Sequence, residues 1–373
     1  MQSTLNRILI VLYLIINILF IEKYASRITE YHLIVSIVYV VGICVITYLT
    51  NKKKLLSIST SKWLIIASVI LLCFAIGVQY AIDPYSLQVD RWSAIHNFLK
   101  AMFKGEYPYG SMTHLGGYGS PFPIWQLAHI PFYFMGNVGL SIFVVSIFFI
   151  ITLYKVHSSK TALIACFLLI AAPAFWYEMA VRSDLITNII LVATLVEWLV
   201  YTKIKLKNHT IQIGIIAGLL LSTRIIAIIP ICVIYGYEFL KIGWKKQMTV
   251  LLTAIITFAI TLLPFLLWEG STLYFFKYSP FILQTRQGSL LVLLIFAVIA
   301  ISVTIYLKGQ LKYRMAVTGL LLTVLVTLAF VDQMWQYNLW QQLFSPAFDI
   351  TYLSMALPFY IEYLSCSITN DLH

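Results

Sequence analysis

The stretch QGSLLVLLIFAVIAISVTIYL, residues 287 to 307, runs for 21 positions without one charged side chain. As a helix rising ~1.5 Å per residue it would cover the ~30 Å of hydrocarbon in a bilayer. It is continuously apolar, whereas a barrel strand would alternate over ~10 residues, so a helix is the reading. Comparable runs lie near 4–21, 33–50, 63–82, 135–154, 161–179, 185–202, 210–223, 225–240, 247–268, 313–331 and 350–367. Together they predict an all-α fold: a polytopic transmembrane helical bundle of about 12 spans, one domain over residues 1–373. Composition agrees, with 61% hydrophobic and 10% charged residues and a mean hydropathy of +0.91. So little charge cannot cover a soluble globule.

The formal net charge of +11 would suggest nucleic acid in a soluble protein, but here the lysines and arginines sit in short connections between apolar runs. They therefore report topology, and no nucleic-acid partner is expected. With the N-terminal run retained as a first span, one side collects Arg7, Lys52–Lys54, Lys62, Lys155, Lys160, Lys203, Lys205, Lys207, Lys241, Lys245, Lys246, Lys308, Lys312 and Arg314. The positive-inside rule makes that side cytoplasmic and both termini cytoplasmic, which fits a bacterial inner membrane. Carboxylates collect on the other side, among them Asp83, Asp90, Glu106, Glu178, Asp184 and Asp349. Cys44, Cys73, Cys166, Cys232 and Cys366 are scattered, so neither a disulfide framework nor a cysteine metal site is indicated.

Residues 210–240 must hold two crossings in about thirty positions, which predicts two short or broken helices meeting at LSTR, with Pro230 assisting the break. Arg224 is then recessed, where an ionised side chain costs ~2.5–3.5 kcal/mol or more at the bilayer centre. It needs an anionic partner: a phosphate, Asp184 or Asp90. Arg182 and Asp184, in FWYEMAVRSDL, form either part of a site or a simple pair at a helix end. Glu197 is expected to reach Lys203 or water, and Lys277 and Arg286 are further cations of an outer loop.

The longest polar interruption is DPYSLQVDRWSAIHNFLKAMFKGEYPYGSMTHLGGYGSPFPIWQLAHIPFY, residues 83–133. Asp83 precedes Pro84 and suits a helix N-cap as well as it suits catalysis. Asp90 heads the segment 91–104, where Trp92, Ile95, Phe98, Leu99, Met102 and Phe103 recur at helical spacing, so an interfacial amphipathic helix is expected with an acid at its head. The Gly- and Pro-rich run that follows forms a structured first large outer loop over 83–134. Its Tyr107 and Tyr109 offer flat faces and hydroxyls suited to sugar rings. His114 can donate to a phosphate, or is simply solvated. No cytoplasmic phosphate loop is present, so reactants are expected from the membrane or the outer compartment.

This pattern resembles the GT-C superfamily of integral membrane glycosyltransferases, through the acid in QVDRWSAI, the juxtamembrane helix after it, GEYPYG, and SPFP before the next span. The resemblance implies a hexosyltransferase that moves a monosaccharide from a polyprenyl-phosphate sugar donor to a glycan or lipid-linked acceptor, in a mannosyltransferase-like manner. It implies Asp90 as the base, Asp83 as the second choice, and Arg182 and Arg224, with Arg91 behind them, as partners of the departing phosphate. No cofactor is indicated, and a divalent metal has no evident ligand set in the loop. A flippase or transporter of lipid-linked oligosaccharides and an O-antigen-type polymerase are the competing readings.

Overall fold

The computed structural model describes residues 2–27, 29–51, 60–269, 279–285, 288–336 and 348–371. Every regular element among them is helical, apart from one isolated bridge between Met112 and Tyr118. The helices are α1 Gln2–Tyr24, α2 His32–Asn51, α3 Thr60–Ala81, α4 Arg91–Phe103, α5 Pro123–Ala128, α6 Ile130–Phe134, α7 Ser141–Val156, α8 Ser159–Ile170 and α9 Pro173–Ala180. There follow α10 Asp184–Tyr201, α11 Thr210–Leu221, α12 Ile228–Lys241, α13 Trp244–Leu266, α14 Pro280–Thr285, α15 Leu290–Leu307, α16 Arg314–Gln336 and α17 Leu357–Thr369. Lys52–Lys54, Lys277 and Arg286 lie outside the described residues.

Seven of the described helices are long and apolar enough to cross a membrane: α1, α3, α7, α10, α13, α15 and α16. The α8–α9 pair, bent by 67°, would make an eighth. Apolar runs at the remaining predicted positions are helical but shorter, as in α11 and in the His32–Val45 part of α2. Boundaries follow local chemistry. Ser158, Ser183 and Ser289 accept backbone N–H bonds at the starts of α8, α10 and α15, and Pro173 and Pro358 sit in first turns, where no amide donor is needed.

The bundle is organised around α10, whose apolar window is 72% buried, against 6% for α15. Such contrast follows from sequence: α10 buries Asp184, Thr187, Asn188 and Glu197 among its aliphatic residues, while α15 carries no charged or amide side chain and turns Leu290, Leu291, Val298 and Ile301 outward. A polar side chain needs partners inside a protein, and an apolar one is as well placed against lipid.

Helices α11 and α13 approach closely because α11 carries Gly214 and Gly218 one turn apart. A Cβ on Gly218 would stand 2.5 Å from the Ala254 carbonyl oxygen and 2.7 Å from Thr257 Cβ. This is the small-xxx-small packing that lets two backbones touch in lipid. Gly218→Leu is expected to lower the thermal stability of the detergent-solubilised protein by ~1–3 kcal/mol or more through overpacking. Gly77→Ala, where a Cβ meets nothing within 4 Å, should leave the melting temperature unchanged or slightly raised.

Candidate functional site

Helix α11 ends at Leu221 and α12 begins at Ile228, with a 3-10 turn over Ile225–Ala227 between them. The break frees backbone groups that need partners. The outer loop supplies them: Phe122 N donates to the Thr223 carbonyl at 3.2 Å and Ile124 N to that of Ser222 at 3.1 Å. Gln284 of α14 completes the stitching, its Oε1 accepting from Ile225 N at 2.9 Å and its Nε2 donating to the Ser120 carbonyl at 2.7 Å. Loop and broken helix therefore fold as one unit.

Inside this unit Arg224 is 6% exposed and Asp184 3%, and the two form an ion pair. Trp125 Nε1 donates to the same Asp184 oxygen, Oδ2, at 2.9 Å, which fixes the carboxylate against the loop. Asp184 stands in the first turn of α10, where the helix dipole favours an anion. The other oxygen, Oδ1, and Arg224 Nε make no hydrogen bond. Arg224 borders a cavity of about 260 Å³ between α12, α15, α16 and the segment Phe348–Met355. Its polar lining is Arg224, Ser120, Gln284, Thr285 and Tyr352; elsewhere it is walled by Ile226, Ile229, Leu293, Phe296, Leu325, Val326 and other apolar side chains. Such a space accepts a long apolar ligand with an anionic end.

Arg91 is committed elsewhere. Its guanidinium donates to Asp349 Oδ2 at 2.5 Å, Thr351 Oγ1 at 2.7 Å and Ser183 Oγ at 3.0 Å, and lies 3.6 Å from Glu178. Burial works to lower its pKa, but Asp349 and Glu178 outweigh that and raise it above the usual arginine value. Burial likewise pushes the Asp349 carboxyl up, and Arg91 with the two Thr351 bonds overcomes it, holding the group below the usual range. Arg91 is thus a clamp joining α4, the start of α10 and the segment before α17. Its side chain lies 5.4 Å from the ring centre of Tyr352, a cavity residue.

Arg182, expected beside a phosphate, is bonded to the protein backbone in this structure. It occupies the left-handed region, φ 53°, because α9 closes there with two C-terminal bonds, Arg182 N to the Met179 carbonyl and Ser183 N to that of Glu178. The side chain turns to the end of α3 and donates to the carbonyls of Gln79 at 2.5 Å and Ile82 at 3.3 Å, where helix-end charge favours a cation. Gln79 extends the junction, donating to the Gly139 and Met179 carbonyls while accepting from Asn137.

Asp90 stands at the head of α4 without capping it. Its Oδ2 accepts from Thr113 Oγ1 at 2.7 Å, and that hydroxyl accepts from Gly117 N at 2.9 Å. Gly117 leaves room for this carboxylate, since a Cβ there would stand 2.9 Å from Asp90 Oδ2 and make it shift. Asp83 is an exposed cap whose Oδ1 accepts from Tyr85 N at 3.0 Å, so its local role is structural. His114 ties the loop to α4: one ring nitrogen lies 2.7 Å from Ser93 Oγ and the other 2.9 Å from the Leu87 carbonyl.

Three further groups take other partners in the structure. The apolar stripe of α4 is spent on the protein itself, with Trp92, Ile95, Phe98 and Leu99 packing on Tyr109, Trp125, Val138 and Phe265. Tyr109 is 1% exposed, stacks edge-on to Phe98 and donates to the Pro121 carbonyl, so it is a core residue and no platform for a sugar. Tyr107 is half-buried against the same cluster, and burial pushes its hydroxyl up to about 12. Glu197, expected at Lys203 or water, is instead 1% exposed and paired with Arg314.

Sequence reasoning passed over Trp125 as a ligand of Asp184, and over Gln284 and Gln79 altogether; Gln79 is a single amide in an apolar run, which is the signal that would have found it, while Gln284 lies in the polar run QTRQ and carries no such signal. Comparison with known protein families, curated proteins and solved structures gives no match to this chain.

Removing one member of the Asp184–Arg224 pair strands a buried charge. Arg224→Met is expected to destabilise by ~3–5 kcal/mol, and Arg224→Met with Asp184→Asn by clearly less, as read from thermal unfolding of the two variants.

Proposed function

We propose that the protein is a membrane glycosyltransferase of the GT-C type, moving a monosaccharide from a polyprenyl-phosphate carrier to a lipid-linked or glycan acceptor at the outer face. The carrying observation is the cavity with apolar walls and Arg224 at its polar end, opening beside the loop that holds Asp90. An isoprenoid chain suits the walls, and a phosphate suits a buried guanidinium with an unused N–H. Ser120, from the same loop as Asp90, lines that cavity, so the loop forms part of its wall.

In this reading the acceptor hydroxyl transfers its proton to Asp90 as its oxygen bonds to the anomeric carbon. The bond from that carbon to the phosphate oxygen breaks, and the electron pair leaves with the lipid phosphate. Arg224 offsets the charge growing there. Arg91 positions Asp90 by fixing the head of α4 to Asp349, Thr351 and Ser183. Twelve crossings, an interfacial setting for α4, cytoplasmic termini and a bacterial inner membrane complete the proposal, supported by the gathering of lysines at one set of helix ends and carboxylates at the other.

A transporter of lipid-linked saccharides draws support from two interruptions, the 67° bend between α8 and α9 and the break at Arg224. Such interruptions line substrate sites in transporters. The two readings part on whether a glycosidic bond forms.

With membranes supplied with polyprenyl-phosphate sugars, Asp90→Asn is expected to lower transfer ~10²–10⁴-fold, while Asp83→Asn stays near the parent rate. Full activity in Asp90→Asn would remove the base assignment, and movement of the lipid-linked sugar without a new glycosidic bond would favour transport. For orientation, Met112→Cys should react with an impermeant thiol reagent from outside intact cells and Lys160→Cys should not.

A further inference from the structure

Glu197 lies ~20 Å along α10 from Asp184, at the opposite end of the bundle. Its Oε2 pairs with Arg314 of α16, and its Oε1 stands 3.0 Å from His157 Nε2, at the end of α7. Glu362 of α17 joins them. One donor atom each from His157, Glu197 and Glu362 lie within 4.8 Å of one another. Glu197 and Glu362 are each 1% exposed, and neither Glu362 oxygen has a hydrogen-bond donor.

Two buried carboxylates in contact need a cation between them. Arg314 offsets the charge of Glu197, which leaves that of Glu362. Either a proton or a metal ion can supply the balance. The donor types suit the metal, since imidazole nitrogen and carboxylate oxygen are both ligands that zinc takes. Spacing agrees, since two ligands bound at ~2.0–2.1 Å to one ion stand ~3.0–3.4 Å apart, and the His157–Glu197 distance is 3.0 Å. Beside them is a void of about 10 Å³ bordered by His157, Glu362, Arg314 and the buried thiol of Cys366. Those three ligands leave the fourth position of a tetrahedral ion open to water.

We propose that His157, Glu197 and Glu362 bind one zinc-class divalent ion, and that the ion joins α7, α10 and α17 at the end remote from the loop of Asp90. This is independent of the glycosyltransferase reading and stands or falls without it.

The test uses the full-length protein in detergent, stripped with a chelator, dialysed and titrated with zinc chloride. Bound zinc per chain is measured by mass spectrometry after gel filtration, alongside the melting temperature. One zinc per chain and a higher melting temperature are expected, with at least tenfold weaker retention in Glu362→Gln and in His157→Gln. The second variant alters a residue at a helix end, so the result does not hang on Glu362→Gln folding. Failure of the parent to retain zinc, equal retention in either folded variant, or a melting temperature that responds to pH but not to zinc would each overturn the proposal; the last would assign a shared proton instead.

Discussion

The Asp184–Arg224 ion pair is the constraint around which the rest is arranged. An arginine recessed among aliphatic side chains is tolerated only with its charge offset and its donors directed. Asp184 offsets the charge from the first turn of α10, and Trp125 holds that carboxylate from the loop side. Two elements far apart in sequence are thereby fixed to the central helix. The break between α11 and α12 follows from the same demand, because Arg224 can reach Asp184 only from an unwound segment whose φ and ψ are extended, −151° and 145°.

Around this pair several backbone groups freed at helix ends are matched by a specific donor or acceptor. The loop answers the carbonyls of Ser222 and Thr223, Gln284 answers Ile225, and Arg182 answers the end of α3. Arg91 holds the head of α4 against two carboxylates and two hydroxyls. Of Arg91, Arg182 and Arg224, the first two are turned into protein joints and the third borders open space. A ligand phosphate would therefore meet Arg224 without dismantling the scaffold.

Sequence revealed what depends on local pattern. Uninterrupted apolar runs announced helices, and the need to fit two crossings into residues 210–240, with lysines at both ends, announced a break at LSTR. Periodicity could not say what an apolar face touches: the stripe of α4 looks the same whether it meets lipid or, as here, Phe265 and Trp125. Long-range pairing was equally hidden. Glu197 has Lys203 close by in sequence, yet Arg314 takes it, and Arg182 sits beside Asp184 in the chain while its side chain goes to α3. Choice among such partners is made by the tertiary arrangement of helix ends, which no spacing encodes.

The position of α15 has its own meaning for how the cavity is reached. This helix presents Leu293 and Phe296 to the cavity and Leu290, Leu291 and Val298 to the outside, with little of its surface covered by other helices. Among the described residues, this wall of the cavity is thus one helix, greasy on both sides. A guest with an apolar tail would find its doorway in the flank of the molecule, passing from one oily medium to another without wetting its chain.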